Sequence, residues 1–334
     1  MRAEIALLVL ALSGCAVNLD DGDAPAAPPS TPARELAACR LLPELDGLQG
    51  RVTPVTLPDG RELLLAAAPD FAGDTSSAAF EGGKACGSGA TALPTRPIID
   101  VSSLANDRVG MPRGAFTTDA AYVYFSLDSA GGFATDGTGI ARFDPDRGVF
   151  VAEALLWTSE RPSYGSSALV DGDYVYVFGG LPARFLAADV YLARAPLERV
   201  NEPGAYEYFG GGGTWAADAD LAVPLLEGGT TPSVIWHAAT RRYLMAYATP
   251  LTREITLRSG LGLAGPWSRP VTFGACSLPF EQAFCGEVTF LPTLARRSEL
   301  ALAHGVYAFE RPAADDPAGY WTRLVSGAVP EALP

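Results

Sequence analysis

The sequence predicts an all-β chain folded as a five-bladed β-propeller with antiparallel blades, and three observations point there. Residues 164–180, YGSSALVDGDYVYVFGG, set a short apolar run against the turn Asp171-Gly172-Asp173 and then a run, 174–178, of alternating aromatic and β-branched residues. That pattern is a β-hairpin, and residues 190–194 add a third strand of the same period. The module then recurs. Residues 114–116 pass Asp119 into 121–126 and 139–143, and residues 232–237 cross the turn 238–242 into 243–247 and 254–258. Each third strand carries an arginine: Arg142, Arg194 or Arg258. Weaker copies at 51–68 and 287–309 complete about five units of roughly 40 to 60 residues, the period of a propeller blade. Finally, 36 Gly and 27 Pro provide many turns and leave little room for long helices.

Taken in order, residues 1–14 begin with Arg2, continue through the apolar run 5–12 and reach Leu12-Ser13-Gly14-Cys15. An apolar run this short cannot span a membrane as a helix and fits a signal peptide. Its last four residues resemble a bacterial lipobox, which implies that Cys15 is diacylated and becomes the new amino terminus. Ala16 in the next position is similar to the outer-membrane sorting signal of Gram-negative cells. The expected location is therefore the cell envelope, with a lipid at Cys15 holding the chain to the outer membrane. Residues 15–35 include DDGDAPAAPPSTPARE, without aromatics; such a composition cannot bury enough apolar surface to fold and is read as a linker. Residues 36–334 are left for the propeller. No later run approaches the roughly 20 apolar residues of a spanning helix.

Charge narrows the partners. Against 24 Lys and Arg stand 38 Asp and Glu, a net charge of −14. Such a surface repels phosphates, so nucleic acid is not expected as a partner, and the chain is expected to be a monomer. With Cys15 assigned to lipid, Cys39, Cys86, Cys276 and Cys285 remain, an even number suited to two disulfides in an oxidising compartment. Three pairings are open. Cys276 with Cys285 is favoured because it closes a short loop before the last module, and Cys39 with Cys86 would tie the first module down. No CxxC spacing occurs and only His237 and His304 could join these thiols, so no metal and no cofactor is expected.

The segments YGSSALVDGDYVYVFGG, ADVYLARAPLERV, AYEYFGGGGTW, PSVIWHAATRRYLMAY, ITLRSG and the turn GPWSRP at 265–270 follow one another as in a family of exported bacterial propellers. That five-bladed family, long described as a domain of unknown function, includes endo-D-arabinanase-like enzymes. The chain resembles it over about residues 112–273, and more distantly resembles arabinanase and fructosidase propellers. The resemblance implies a sugar-binding cleft at one mouth of the central channel. It also implies two carboxyl groups, one to protonate the leaving oxygen and one to attack or activate water. The family places its aspartates in first-blade motifs of the form GTDLG and FGDTF. Aligned on Leu57-Pro58-Asp59-Gly60, this chain has Val52 at the first position and Pro69 at the second, or Asp70 with a one-residue slip, and Leu291-Pro292 stands where a His-Pro pair is expected.

The expected function is accordingly a surface-anchored, glycosidase-like propeller that binds glycan or a protein partner without efficient catalysis. The alternative is an endo-arabinanase-like glycoside hydrolase with a rearranged carboxylate pair. Asp70 and Asp74 are the candidate replacements, close together on a loop; their competing reading is as solvated turn residues. Trp215, after the Gly210 to Gly213 run, could stack on a sugar or pack a blade edge. Trp236, beside His237, could do likewise or be a core aromatic. Arg113 and Glu254 are read at the starts of inner strands, where each could face the channel or be a surface charge. The glycine run lacks the strand-to-helix context of a phosphate loop, and Ser166 and Ser167 lack the frame of a serine nucleophile.

Overall fold

Alternation and turn chemistry become sheets in the computed structural model, which describes residues 34–35, 49–67, 75–80, 91–92, 98–129, 135–184, 187–229, 231–249, 253–276, 283–292, 299–308 and 321–333. The first described element is a two-residue strand, β1 (Arg34–Glu35). The first sheet runs β2 (Gln49–Thr56), β3 (Glu62–Ala67), β4 (Thr75–Phe80), β5 (Thr91–Ala92). In the second, β6 (Ile99–Asp100) lies outside β10 (Val149–Thr158), which follows β7 (Arg108–Thr117), β8 (Ala121–Ser129) and β9 (Thr135–Asp144). The third comprises β11 (Ser163–Asp171), β12 (Tyr174–Arg184) and β13 (Ala187–Pro196), extended by β14 (Glu207–Phe209), β15 (Trp215–Ala216) and β16 (Leu226–Gly229). The fourth is β17 (Ser233–His237), β18 (Arg242–Ala248), β19 (Glu254–Gly260), β20 (Val271–Ala275). The fifth is β21 (Ala283–Phe290), β22 (Glu299–Ala308), β23 (Trp321–Ala328) and, at its outer edge, β1.

The hairpin at 171–174 shows how locally this is encoded. Asp171 pairs with Tyr174 across two residues, and Gly172 takes φ +60°. A first central residue of positive φ gives the turn whose twist matches the flanking strands.

Between neighbouring sheets lie apolar layers, and the second strands feed two of them at once. Val123 and Phe125 of β8 meet Val55, Leu63 and Leu65 of the first sheet. Tyr124, between them, faces Tyr164, Val175 and Val177 of the third. On β18, Met245 and Tyr247 join Phe178 and Leu192, whereas Leu244 and Ala246 join Phe290, Leu300 and Leu302. A strand buried on both faces reads as a continuous apolar run, which is why these were the clearest strands in the sequence.

The first strands form a ring. β2 touches β7, β7 touches β11, β11 touches β17, β17 touches β21, and β21 returns to β2. Sheets packed face to face around a closed ring of first strands are a β-propeller. The seam of the fifth sheet joins the two ends of the chain, because β1 pairs antiparallel with β23, Arg34 opposite Ser326 and Glu35 opposite Val325. Arg34 and Glu35 were read as the end of the linker; here they belong to a sheet.

Candidate functional site

The channel wall is held by hydroxyls. Thr53 on β2 donates to the Arg113 carbonyl on β7, and Thr117 on β7 donates back to the Thr56 carbonyl. Ser167 on β11 donates to the Val234 carbonyl at 3.3 Å and accepts from the Val234 N–H at 3.0 Å. Ser233 on β17 accepts from the Phe290 N–H at 3.1 Å. Between β7 and β11 the approach needs glycine instead: a Cβ on Gly114 would lie 2.7 Å from the Gly165 carbonyl oxygen. These contacts put Thr53, Arg113, Gly114, Ser167, Val234 and Phe290 at one level, with all five first strands running the same way through it.

Along that level and toward the strand ends runs a cavity of about 380 Å³, lined by residues of every first strand. No Asp or Glu is among its lining residues, and Arg113 is their one charged side chain. The Arg113 guanidinium lies 3.7 Å from a carboxylate oxygen of Glu287 on β21. Glu287 precedes Phe290 by three residues, so its carboxylate reaches Arg113 from the strand-start side of the belt. Sequence reading did not single out Glu287, because its partner is far away in the chain and only the ring closure brings them together.

On the strand-end side stands Trp236, 49 % exposed. Its indole meets the Tyr243 ring edge-on, with centroids 4.9 Å apart. A second cavity, about 490 Å³, lies beyond it and includes His237, Ala239 and Glu299 in its wall. Ile235, Trp236, Phe290 and Pro292 line both cavities. His237 shares a hydrogen bond with the Thr240 hydroxyl at 2.9 Å, and burial lowers its pKa. Burial first, then the nearby Asp171 carboxylate, push the Tyr243 hydroxyl up to about 12, so it is a neutral hydrogen-bonding group.

The remaining candidates fall elsewhere. Trp215 sits on the outer extension of the third sheet, edge-on to Tyr176 and Phe209 and under the Arg194 guanidinium, 4.1 Å away; it packs a blade edge. Glu254 corrects an expectation: it begins β19, a third strand, and its side chain is exposed. The repeat itself makes 254–258 a third strand, and the structure follows the repeat rather than the channel reading of Glu254. Asp70, Asp74, Cys15, Cys39 and Cys86 lie outside the described residues. Cys276 and Cys285 form a disulfide, which bridges the fourth and fifth sheets. His304 places a ring nitrogen within 4.8 Å of both sulfurs; the disulfide engages those sulfurs, so the trio is a buried structural cluster in this state.

Solved structures of similar shape include glycosidases. The GH43_1 enzyme from Xanthomonas citri aligns at a TM-score of 0.54 and 18% identity, over 87% of this chain and 90% of that one. An alpha-L-arabinofuranosidase from Lactobacillus brevis gives 0.56 and 12%, over 87% and 95%. A GH43 endo-arabinanase from Bacillus licheniformis gives 0.51 and 12%, over 85% and 94%. At such identities the likeness carries the fold: a glycosidase-like propeller. No curated protein sequence matches the chain. Residues 69–309 match the family described as "Domain of unknown function (DUF4185)", and the chain, matched over most of its length, belongs to that family.

Proposed function

We propose that this protein is a lipid-anchored envelope propeller of five blades that holds a glycan in its channel without hydrolysing it efficiently. One observation carries the reading: the cavity lined by all five first strands offers Arg113 and an aromatic wall, with no carboxylate among its lining residues. Glycoside hydrolysis needs two carboxyl groups about 5 to 9.5 Å apart. Among the described residues, Glu287 lies against Arg113 and Glu299 belongs to the wall of the second cavity, so neither is one of a pair inside the first. Without proton transfer from a placed acid, a groove of this shape would bind sugar but lose about 10²- to 10⁴-fold in rate for each missing group. The similar glycosidase folds support the choice of glycan over protein as ligand. The LSGC motif at 12–15 supports the anchor.

A hydrolase with a relocated acid pair is the second reading, and one observation favours it. Gln49, at the start of β2, pairs with Ala67 at the end of β3, so β3 ends on the strand-start side of the belt, the side on which Glu287 stands. The test is a binding and hydrolysis screen of the purified full chain on arabinan, arabinogalactan and other cell-wall glycans, with Asp70→Asn, Asp74→Asn and Glu287→Gln in parallel. Binding without sugar release is the expected result. Release abolished by any of the three substitutions would overturn it and establish the enzyme.

A further inference from the structure

We propose that the strand-end mouth of the channel is a saccharide-binding site built on Trp236, on the side of the belt opposite Glu287. The inference rests on the glycan reading above and names where the chain of sugars is gripped.

Trp236 is one of few large apolar side chains in the described residues left open, at 49 % exposure. It occupies a first strand, not a blade rim. Its neighbour Val234 is bonded through both backbone groups to Ser167, and its ring is held edge-on by Tyr243. The indole is therefore a fixed plate, so little side-chain entropy is lost when a ligand settles on it. Cavities lie on both sides of it, at about 380 and 490 Å³, within the range of about 300 to 1,000 Å³ that small-ligand sites occupy. Their shared wall of Ile235, Trp236, Phe290 and Pro292 is apolar.

A sugar ring has a face of C–H groups and a rim of hydroxyls. The face suits an indole plate, and the rim needs a few hydrogen-bonding groups at its edge. His237 and Glu299 supply these in the second cavity, with the imidazole biased to its neutral form by burial. The net charge of −14 disfavours an acidic polysaccharide or a nucleotide. A neutral oligosaccharide, one unit in each cavity and the linkage crossing Trp236, is the occupant that uses both spaces.

Calorimetric titration of the full chain with xylohexaose and with arabinohexaose tests this, using Trp236→Ala and Ala239→Arg. Ala239 is exposed in the second cavity, so arginine there fills the space without touching the core and keeps the test valid should Trp236→Ala fold poorly. Each variant is expected to weaken binding by at least about tenfold, the scale of truncating an aromatic anchor. If the wild-type chain binds and both folded variants bind equally well, the Trp236 site is overturned while channel binding stands. If the wild-type chain binds neither sugar, the glycan reading falls and this inference with it.

Discussion

Replacing Ser167 by alanine separates a structural hydroxyl from a ligand-binding one. Ser167 is 7 % exposed, lines the channel, and serves the Val234 carbonyl at 3.3 Å and the Val234 N–H at 3.0 Å. Alanine removes both bonds and puts no polar group in their place. Losing a neutral hydrogen bond costs about 0.5–1.5 kcal/mol, and a buried N–H left unsatisfied costs about 1–3 kcal/mol. The 3.3 Å bond is long and belongs at the low end, so about 2 kcal/mol is the combined expectation. For a domain of this size that corresponds to a melting shift of roughly 3 °C. Differential scanning calorimetry, with urea midpoints as a check, measures it. Ser233→Ala, which removes the acceptor of the Phe290 N–H at 3.1 Å, should behave alike. Unchanged stability in Ser167→Ala, together with loss of sugar binding, would refute the lacing argument and make the hydroxyl a ligand contact.

Three further outcomes are expected. Gly114→Ala should cost roughly 1–3 kcal/mol or more by urea denaturation, because the new Cβ meets backbone at 2.7 and 2.9 Å on β11 and neither strand can yield alone. Cys276→Ser, or reduction, opens a loop of sequence separation 9 and should cost about 2–3 kcal/mol on the loop-entropy argument; equal melting of oxidised and reduced protein would contradict it. The Ser102 hydroxyl and then Arg147 hold the Asp100 carboxyl down at about 2. Its contribution is therefore present above the unfolded value of about 4 and lost as pH falls from there toward 2. Solvent screening keeps it below about 1 kcal/mol, and Asp100→Asn should flatten that part of the acid limb seen in stability against pH.

The blades were legible where a strand is buried on both faces. Tyr122 to Leu127 and Tyr243 to Ala248 could hardly be anything else, and Gly172 fixed the register of its hairpin. Three things were not legible. The hydroxyl lacing uses Ser and Thr, which sit in any strand, and its partners are carbonyls and N–H groups that every residue owns. The Arg113 and Glu287 contact joins distant strands through ring closure, and no local pattern announces it. Trp215 and Glu254 each carried two readings that no local pattern could separate. The third sheet grows an outer extension that gives Trp215 a packing role, and the exposed Glu254 begins a third strand, the rank the repeat gives it.

The seam between Arg34–Glu35 and β23 bears on how the molecule can be handled. Composition invites a cut at residue 36, just after the Pro- and Ala-rich stretch. That truncation would strip β23 of its outer neighbour and bare the backbone groups at Val325 and Ser326. An open strand edge recruits a strand from another molecule, so the trimmed protein would tend to self-associate at its rim while its channel stayed intact. Loss of solubility in such a truncation would then report on the missing clasp, and a failed sugar titration with it would say nothing about the sugar.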